Sequence, residues 1–84
     1  MLKVYSKTNC PYCDKAKYYL KKSEIQFEEI NVSINMDAKK FLFDNGYKTV
    51  PQFFVNDKLL VTGGWSGLSD ISPEDLKKRI AALV

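Results

Sequence analysis

Cys10 and Cys13 stand three positions apart in a chain that carries no other cysteine and no histidine. Such a pair could lie inert in a core, because a free cysteine behaves as a small apolar residue. It could supply half of a tetrahedral zinc site completed by a partner chain. It could also cycle between dithiol and disulfide, the use expected of C-x-x-C where a strand runs into a helix. The residues around it favour the third chemistry. Pro11 follows Cys10, and proline is tolerated at a first helical position, where the amide would lack a partner anyway. Cys10 then sits ahead of a helix N-terminus and is expected to be exposed, with free amides and the positive end of the helix dipole favouring thiolate over thiol. Lys7 and Lys15 add positive charge nearby in sequence. Cys13, one turn on, can reach back to Cys10. The expected roles are therefore attack on a disulfide by Cys10 and resolution of the mixed disulfide by Cys13.

The elements that must hold this pair can be read from the pattern of apolar residues. Leu2-Lys3-Val4-Tyr5-Ser6 alternates at period two and predicts a first strand. From Pro11 to Lys22 the apolar positions Cys13, Ala16, Tyr19 and Leu20 fall on one helical face. Ile25 to Val32 returns to a β-like pattern, which completes a right-handed βαβ unit. Ala38, Phe41, Leu42 and Asn45 predict a second helix, with Gly46 as its left-handed C-terminal cap. Phe53-Phe54-Val55 and Leu59-Leu60-Val61 flank Asn56-Asp57, two residues that tolerate positive φ, and so predict a β-hairpin. Ser72-Pro73-Glu74-Asp75 opens a last helix with Leu76, Ile80 and Leu83 on its core face, Ser72 and Asp75 resembling a capping box. The order is β-α-β-α-β-β-α: an α/β chain with a four-stranded mixed sheet flanked by helices.

Composition excludes several function classes. At 84 residues the chain is one domain, since a prior of about 150 residues per domain leaves no room for two. No apolar stretch approaches the roughly 18 residues of a membrane span. Met1 to Tyr5 alternates, without a basic flank followed by an apolar block, which predicts no secretory signal and a cytoplasmic home. Two cysteines are too few for a disulfide-stapled secreted domain, and without histidine there is no imidazole acid–base or triad chemistry. No metal is expected, because this chain does not close a four-ligand site by itself. A net charge of +3 is mild. The runs Lys77-Lys78-Arg79, Lys21-Lys22 and Lys39-Lys40 read as solvated helix faces, and no basic groove with interleaved aromatics points to nucleic acid.

Four features spread over nearly the whole chain resemble the glutaredoxins, the glutathione-linked members of the thioredoxin fold. They are Lys7 three residues before Cys10, Cys10-Pro11-Tyr12-Cys13, Thr49-Val50-Pro51, and Gly63-Gly64 before the last helical region. The short length and the Pro-Tyr dipeptide fit glutaredoxin better than thioredoxin, which is longer and usually carries Trp-Cys-Gly-Pro-Cys. The resemblance implies a single domain over residues 1–84 with a glutathione-dependent thiol–disulfide oxidoreductase activity. Protein disulfides and glutathionylated proteins would be its substrates, glutathione its reductant, and a monomer its working form. It also implies a cis bond before Pro51, Val50 pairing with the substrate main chain through its backbone, and Thr49 in the same loop. Lys7 would bind the glycine carboxylate of glutathione, the turn from Gly63 and Gly64 to Ser66 would bind the γ-glutamyl carboxylate, and Tyr12 would line the groove. Ser66 is expected to cap a short helix there. Trp65 would either form a wall of the cleft or pack in the core.

Two positions depart from the family pattern. The run Gly63-Gly64-Trp65-Ser66-Gly67 has glycine where an acid usually helps hold the γ-glutamyl ammonium, and Ala38 stands where a second-helix Gln or Arg often meets the glycine carboxylate. Weaker glutathione binding is expected, with Asp70, Lys39 or Lys40 as possible compensation. Two rival functions follow: a thioredoxin-like electron donor to a dedicated protein such as a ribonucleotide reductase, and a carrier of a [2Fe–2S] cluster. Pro11 argues against the carrier.

Overall fold

The computed structural model describes residues 1–84. Strand β1 (Leu2–Ser6) is followed by α1 (Pro11–Lys22), β2 (Phe27–Asn31), α2 (Met36–Asp44), β3 (Gln52–Val55), β4 (Lys58–Leu59), α3 (Gly64–Ser69) and α4 (Pro73–Leu83). The strands lie in the order β2-β1-β3-β4. β2 runs parallel to β1, with Leu2 beside Phe27 and Ser6 beside Asn31. β3 runs antiparallel to it, with Leu2 beside Val55 and Tyr5 beside Gln52. Asn56 and Asp57 both take left-handed φ, 51° and 61°, and turn β3 into β4.

Alternation along the central strands divides the core by sheet face. Leu2 and Val4 of β1, with Phe53 and Val55 of β3, meet Ala16 and Leu20 of α1, Leu68 of α3 and Leu76 of α4. On the other face Tyr5 and Phe54 meet Ala38 and Leu42 of α2. Tyr5 stacks on Phe41 at 5.5 Å, and Phe54 meets Phe41 and Tyr47 edge-on. Ser72 caps α4 by accepting the Asp75 amide at 3.2 Å, as its sequence suggested.

Three details differ from the pattern reading. The second strand begins at Phe27 because Glu24 (φ 59°) reverses the chain and the Ile25 amide closes on the Leu20 carbonyl at the end of α1. The fourth strand stops at Leu59, although Leu60 still donates to the Phe53 carbonyl at 2.8 Å and remains in the core with Val61. The last helical region is two helices, α3 and α4; six residues of α3 are too few to show a 3.6-residue period.

An ion pair ties α1 to the sheet. Lys17 of α1 meets Glu29 of β2 at 2.8 Å and Asp14 one turn back at 3.5 Å. The same Glu29 oxygen accepts the hydroxyl of Ser6, which is completely buried at the end of β1. Lys17 and then the Ser6 hydroxyl hold the Glu29 carboxyl below the usual range, and Glu29 holds the Lys17 ammonium above its own. With folded pKa values shifted apart in this way, the pair contributes fully between the carboxylate and ammonium ranges. Its contribution is lost in acid, as Glu29 protonates. A double-mutant cycle with Lys17→Met and Glu29→Gln, read by urea unfolding, should give a coupling of about 0.5–1 kcal/mol at pH 7. The coupling should vanish well below pH of about 4; a value unchanged at pH 2.5 would contradict the assignment.

Candidate active site

The site lies where β1 ends and α1 begins. Asn9, at φ 58°, turns the loop after β1 so that Cys10 enters in extended conformation (φ −117°, ψ 99°) as the N-cap of α1. Its Sγ accepts the Cys13 amide at 3.2 Å, so the sulfur does the work that a serine or aspartate oxygen does at an ordinary cap. Cys10 and Cys13 are joined in a disulfide, with Cα atoms 5.2 Å apart. Cys13 is 1% exposed, as its place on the core face requires. Cys10, expected to be exposed, is only 5% so, because its side chain folds back over the first helical turn instead of projecting beyond it. The Lys15 ammonium lies 5.3 Å from the centre of the Tyr12 ring, which is itself largely exposed, so this charge is spent on an aromatic face.

The register between β1 and β3 determines what faces the cysteines. The ladder ends with Tyr5 beside Gln52, so the Thr49–Pro51 loop leaves the sheet at the end of β1 that leads to the cysteines. The Val50–Pro51 peptide is cis, as the resemblance implied. Gln52, a buried polar residue that pattern reading passed over, donates its side-chain amide to the carbonyl and hydroxyl of Thr49 at 3.1 and 3.3 Å and so braces the loop from below. Its one signal in the sequence is a polar residue at the head of an apolar strand. From the other side comes the glycine pair. A Cβ on Gly64 (φ 58°) would lie 3.0 Å from the Pro51 carbonyl oxygen, so the absence of a side chain lets the two segments meet. Gly63, at φ 85°, is the N-cap of α3. Ser66 does not cap this helix; it lies exposed within its first turn, because the left-handed glycine starts the helix three residues earlier than a serine cap would.

Two grooves meet on the Thr49–Val50 loop. The smaller, about 180 Å³, is lined by Tyr12, Thr49, Val50, Pro51, Gly63, Gly64, Trp65 and Ser66. The larger, about 560 Å³, contains Lys7 and extends over Val32, Ser33 and α2 to Tyr47 and Lys48. Every candidate binding residue from the sequence thus lines one groove or the other, next to the disulfide. Trp65 does both things considered for it, walling the smaller groove and packing edge-on against Tyr19 at 6.2 Å. Of the compensating residues, Lys39 lines the larger groove, whereas Lys40 is turned to Asp44 at 3.0 Å and Asp70 ends α3 away from both grooves. Neither groove has an aspartate or glutamate in its lining. Pattern reading missed Phe43, which α2 carries to the larger groove with Lys39 and Leu42, and Tyr47 and Lys48, which follow the chain reversal at Gly46.

Comparison with known proteins gives one consistent family. A family model described as Glutaredoxin matches residues 2–60. Glutaredoxin 1 of Rickettsia conorii is 39% identical over 74 residues, which span 84% of this chain and 71% of that protein. Among solved structures, glutaredoxin 1 from Francisella tularensis complexed with cacodylate superposes with a TM-score of 0.70 at 28% identity, over 90% of this chain and 95% of that one. A buckwheat glutaredoxin–glutathione complex shares the fold, with a TM-score of 0.69 at 23% identity over 98% of this chain and 74% of that one.

The departure at position 67 has a steric cause. A Cβ there would overlap the Thr62 carbonyl oxygen, a backbone atom that cannot move without displacing the turn into α3. No side chain, acidic or otherwise, fits this backbone. Gly67→Ala is expected to destabilise the chain by about 2 kcal/mol or more, the overlap outweighing the roughly 1 kcal/mol that alanine gains over glycine inside a helix. Urea unfolding measures the difference, and a stabilised variant would show that the turn is not held as described.

Proposed function

The chain belongs to the glutaredoxin family of glutathione-dependent thiol–disulfide oxidoreductases, with Cys10–Cys13 as its dithiol, and from this premise we propose that Cys10 is the nucleophile, Cys13 the resolving thiol, and the two grooves the bed for glutathione. The observation that carries the assignment is the Cys13 amide donating to the Cys10 sulfur at the N-terminus of α1. A donor and a helix dipole aimed at one sulfur favour its anionic form, and the thiolate is the attacking species.

On a glutathionylated protein, the Cys10 thiolate attacks the glutathionyl sulfur, the protein thiolate leaves and takes a proton, and Cys10 carries glutathione. A second glutathione thiolate then frees Cys10 and departs as glutathione disulfide. On a protein disulfide, Cys10 forms a mixed disulfide with one client sulfur and releases the other as a thiol. Cys13 displaces the client from Cys10, the client leaves as a dithiol, and the enzyme is left as the Cys10–Cys13 disulfide. Two glutathione molecules restore the dithiol and leave as one glutathione disulfide.

Glutathione presents a carboxylate at each end, and the grooves supply a different answer to each. Lys7, with Lys39 in the role that Ala38 leaves open, receives the glycine carboxylate. The cysteinyl main chain runs along Val50 beside Thr49 and Pro51, walled by Tyr12. The backbone amides from Gly63 and Gly64 to Ser66 receive the γ-glutamyl carboxylate. The γ-glutamyl ammonium finds no carboxylate in the groove, which favours weaker binding than an acid at position 67 would give. That same feature supports a second reading, a donor that dispenses with glutathione; re-reduction by thioredoxin reductase faster than by glutathione would select it.

Cys10→Ser should abolish all turnover, and Cys13→Ser should keep deglutathionylation while losing dithiol reduction of protein disulfides. Loss of both activities in Cys13→Ser would contradict the roles. Lys39→Ala should raise KM for glutathione by about two- to fivefold, the effect of one partly exposed ion pair, while Lys40→Ala, whose ammonium is already paired with Asp44, should leave it alone. Equal effects of the two substitutions would remove Lys39 from the site.

A further inference from the structure

The larger groove offers more than the glycine end of glutathione needs. Besides Lys7 and Lys39 it is lined by Lys48 and by the apolar side chains of Leu42, Tyr47 and Phe43. Phe43 is 66% exposed, an unusual place for a large aromatic ring on an otherwise charged helix face. The three ammonium groups have no partners of their own: every ion pair in the chain belongs to Lys17 or Lys40. No aspartate or glutamate lines the groove to offset them. The groove therefore carries a charge of one sign around an apolar strip, and it shares Thr49 and Val50 with the smaller groove. One carboxylate at Lys7 and Lys39 leaves Lys48 and Phe43 unused.

We propose that this groove also selects protein clients: it receives an extended client segment in which the reactive cysteine is followed by acidic residues interspersed with an apolar one. The direction rests on the proposed glutathione pose, in which the main chain after the cysteine runs from Val50 toward Lys7. The acidic side chains that meet Lys39 and Lys48 belong to the residues that follow that cysteine within the groove. The apolar side chain, pointing to the opposite pleat, lies on Phe43 and Tyr47. Charge complementarity of this kind acts mainly on encounter rate and partner choice, and salt weakens it.

The test uses the whole reduced protein and three disulfide-bridged peptides that differ only in the residues after the attacked cysteine: acidic with one leucine, neutral polar with the same leucine, and basic with the same leucine. Single-turnover reduction should be fastest for the acidic peptide, by about threefold or more over the neutral one, and slowest for the basic one. The spread should shrink at 0.5 M added salt, where the Debye length is about 4 Å. Lys48→Gln should narrow the ratio of acidic to neutral rates, and Phe43→Ser should slow all three peptides that carry leucine; both side chains are exposed, so the fold survives their loss. Equal rates on the three peptides, with turnover still dependent on Cys10, would overturn the client preference and leave the glutaredoxin reading standing. No Cys10-dependent reduction of any peptide would overturn both. An acidic preference unchanged in Lys48→Gln, or a short single-stranded oligonucleotide that inhibits better than an acidic peptide of equal charge, would also overturn the assignment of this groove to acidic protein segments.

Discussion

One interaction organises the site: a sulfur in place of an oxygen at the N-cap of α1. The helix leaves its first amides without carbonyl partners, and the Cys13 amide turns to the Cys10 sulfur at 3.2 Å. That contact places the two cysteines within bonding reach, orients the first sulfur relative to the helix dipole, and draws it back under cover. Everything else in the fold serves to hold this helix end in register with the sheet. Lys17, one turn beyond Cys13, is tied to Glu29 of β2, and Glu29 in turn satisfies the Ser6 hydroxyl buried at the end of β1. A polar latch therefore spans the helix, the central strand and the edge strand immediately behind the disulfide.

The opposite side of the disulfide is built from backbone. The loop at Thr49–Pro51 is level with the end of β1 because β3 pairs with that strand, and the glycine pair closes on Pro51 because a side chain on Gly64 would press on the proline carbonyl. A surface made this way presents main-chain groups to whatever lies on it and discriminates little between side chains. Discrimination falls to the groove ends, which are unequal. One end is a helix start with amides and no acid; the other carries three lysines around an apolar strip. The field over both is positive, and on the proposed reading it favours substrates with an excess of carboxylates.

Much of this was legible in the residue order, for identifiable reasons. Cys10-Pro11-Tyr12-Cys13 marks a strand-to-helix junction because proline is tolerated at a helix start, and a second cysteine one turn on lies within disulfide reach of the first. Asn56-Asp57 marks the hairpin because both residues tolerate left-handed φ. Ser72 marks the start of α4 because its hydroxyl can take the place of a missing carbonyl. Features that depend on contacts between distant segments were not legible. The burial of Cys10 follows from the side chain folding back onto its own helix. The choice of Lys39 over Lys40 follows from which lysine has an aspartate one turn away on its own side of α2. Gly67 looked like a missing acid until the Thr62 carbonyl was found in the space a side chain would need.

Local chemistry thus sufficed to specify the strands, the principal helices and the dithiol, because capping, turn formation and apolar periodicity act over a few residues and leave their marks in the order of the chain. Which residues form one site was decided by β-pairing and by the reversals at Gly46 and Gly63, which bring Lys7, Lys39, Val50 and Gly64 around the disulfide from segments tens of positions apart. Electrostatic character of a groove is a sum over such segments. No stretch of this sequence contains it, since each lysine taken alone is an ordinary surface residue and only their shared orientation, without a carboxylate among them, makes a field.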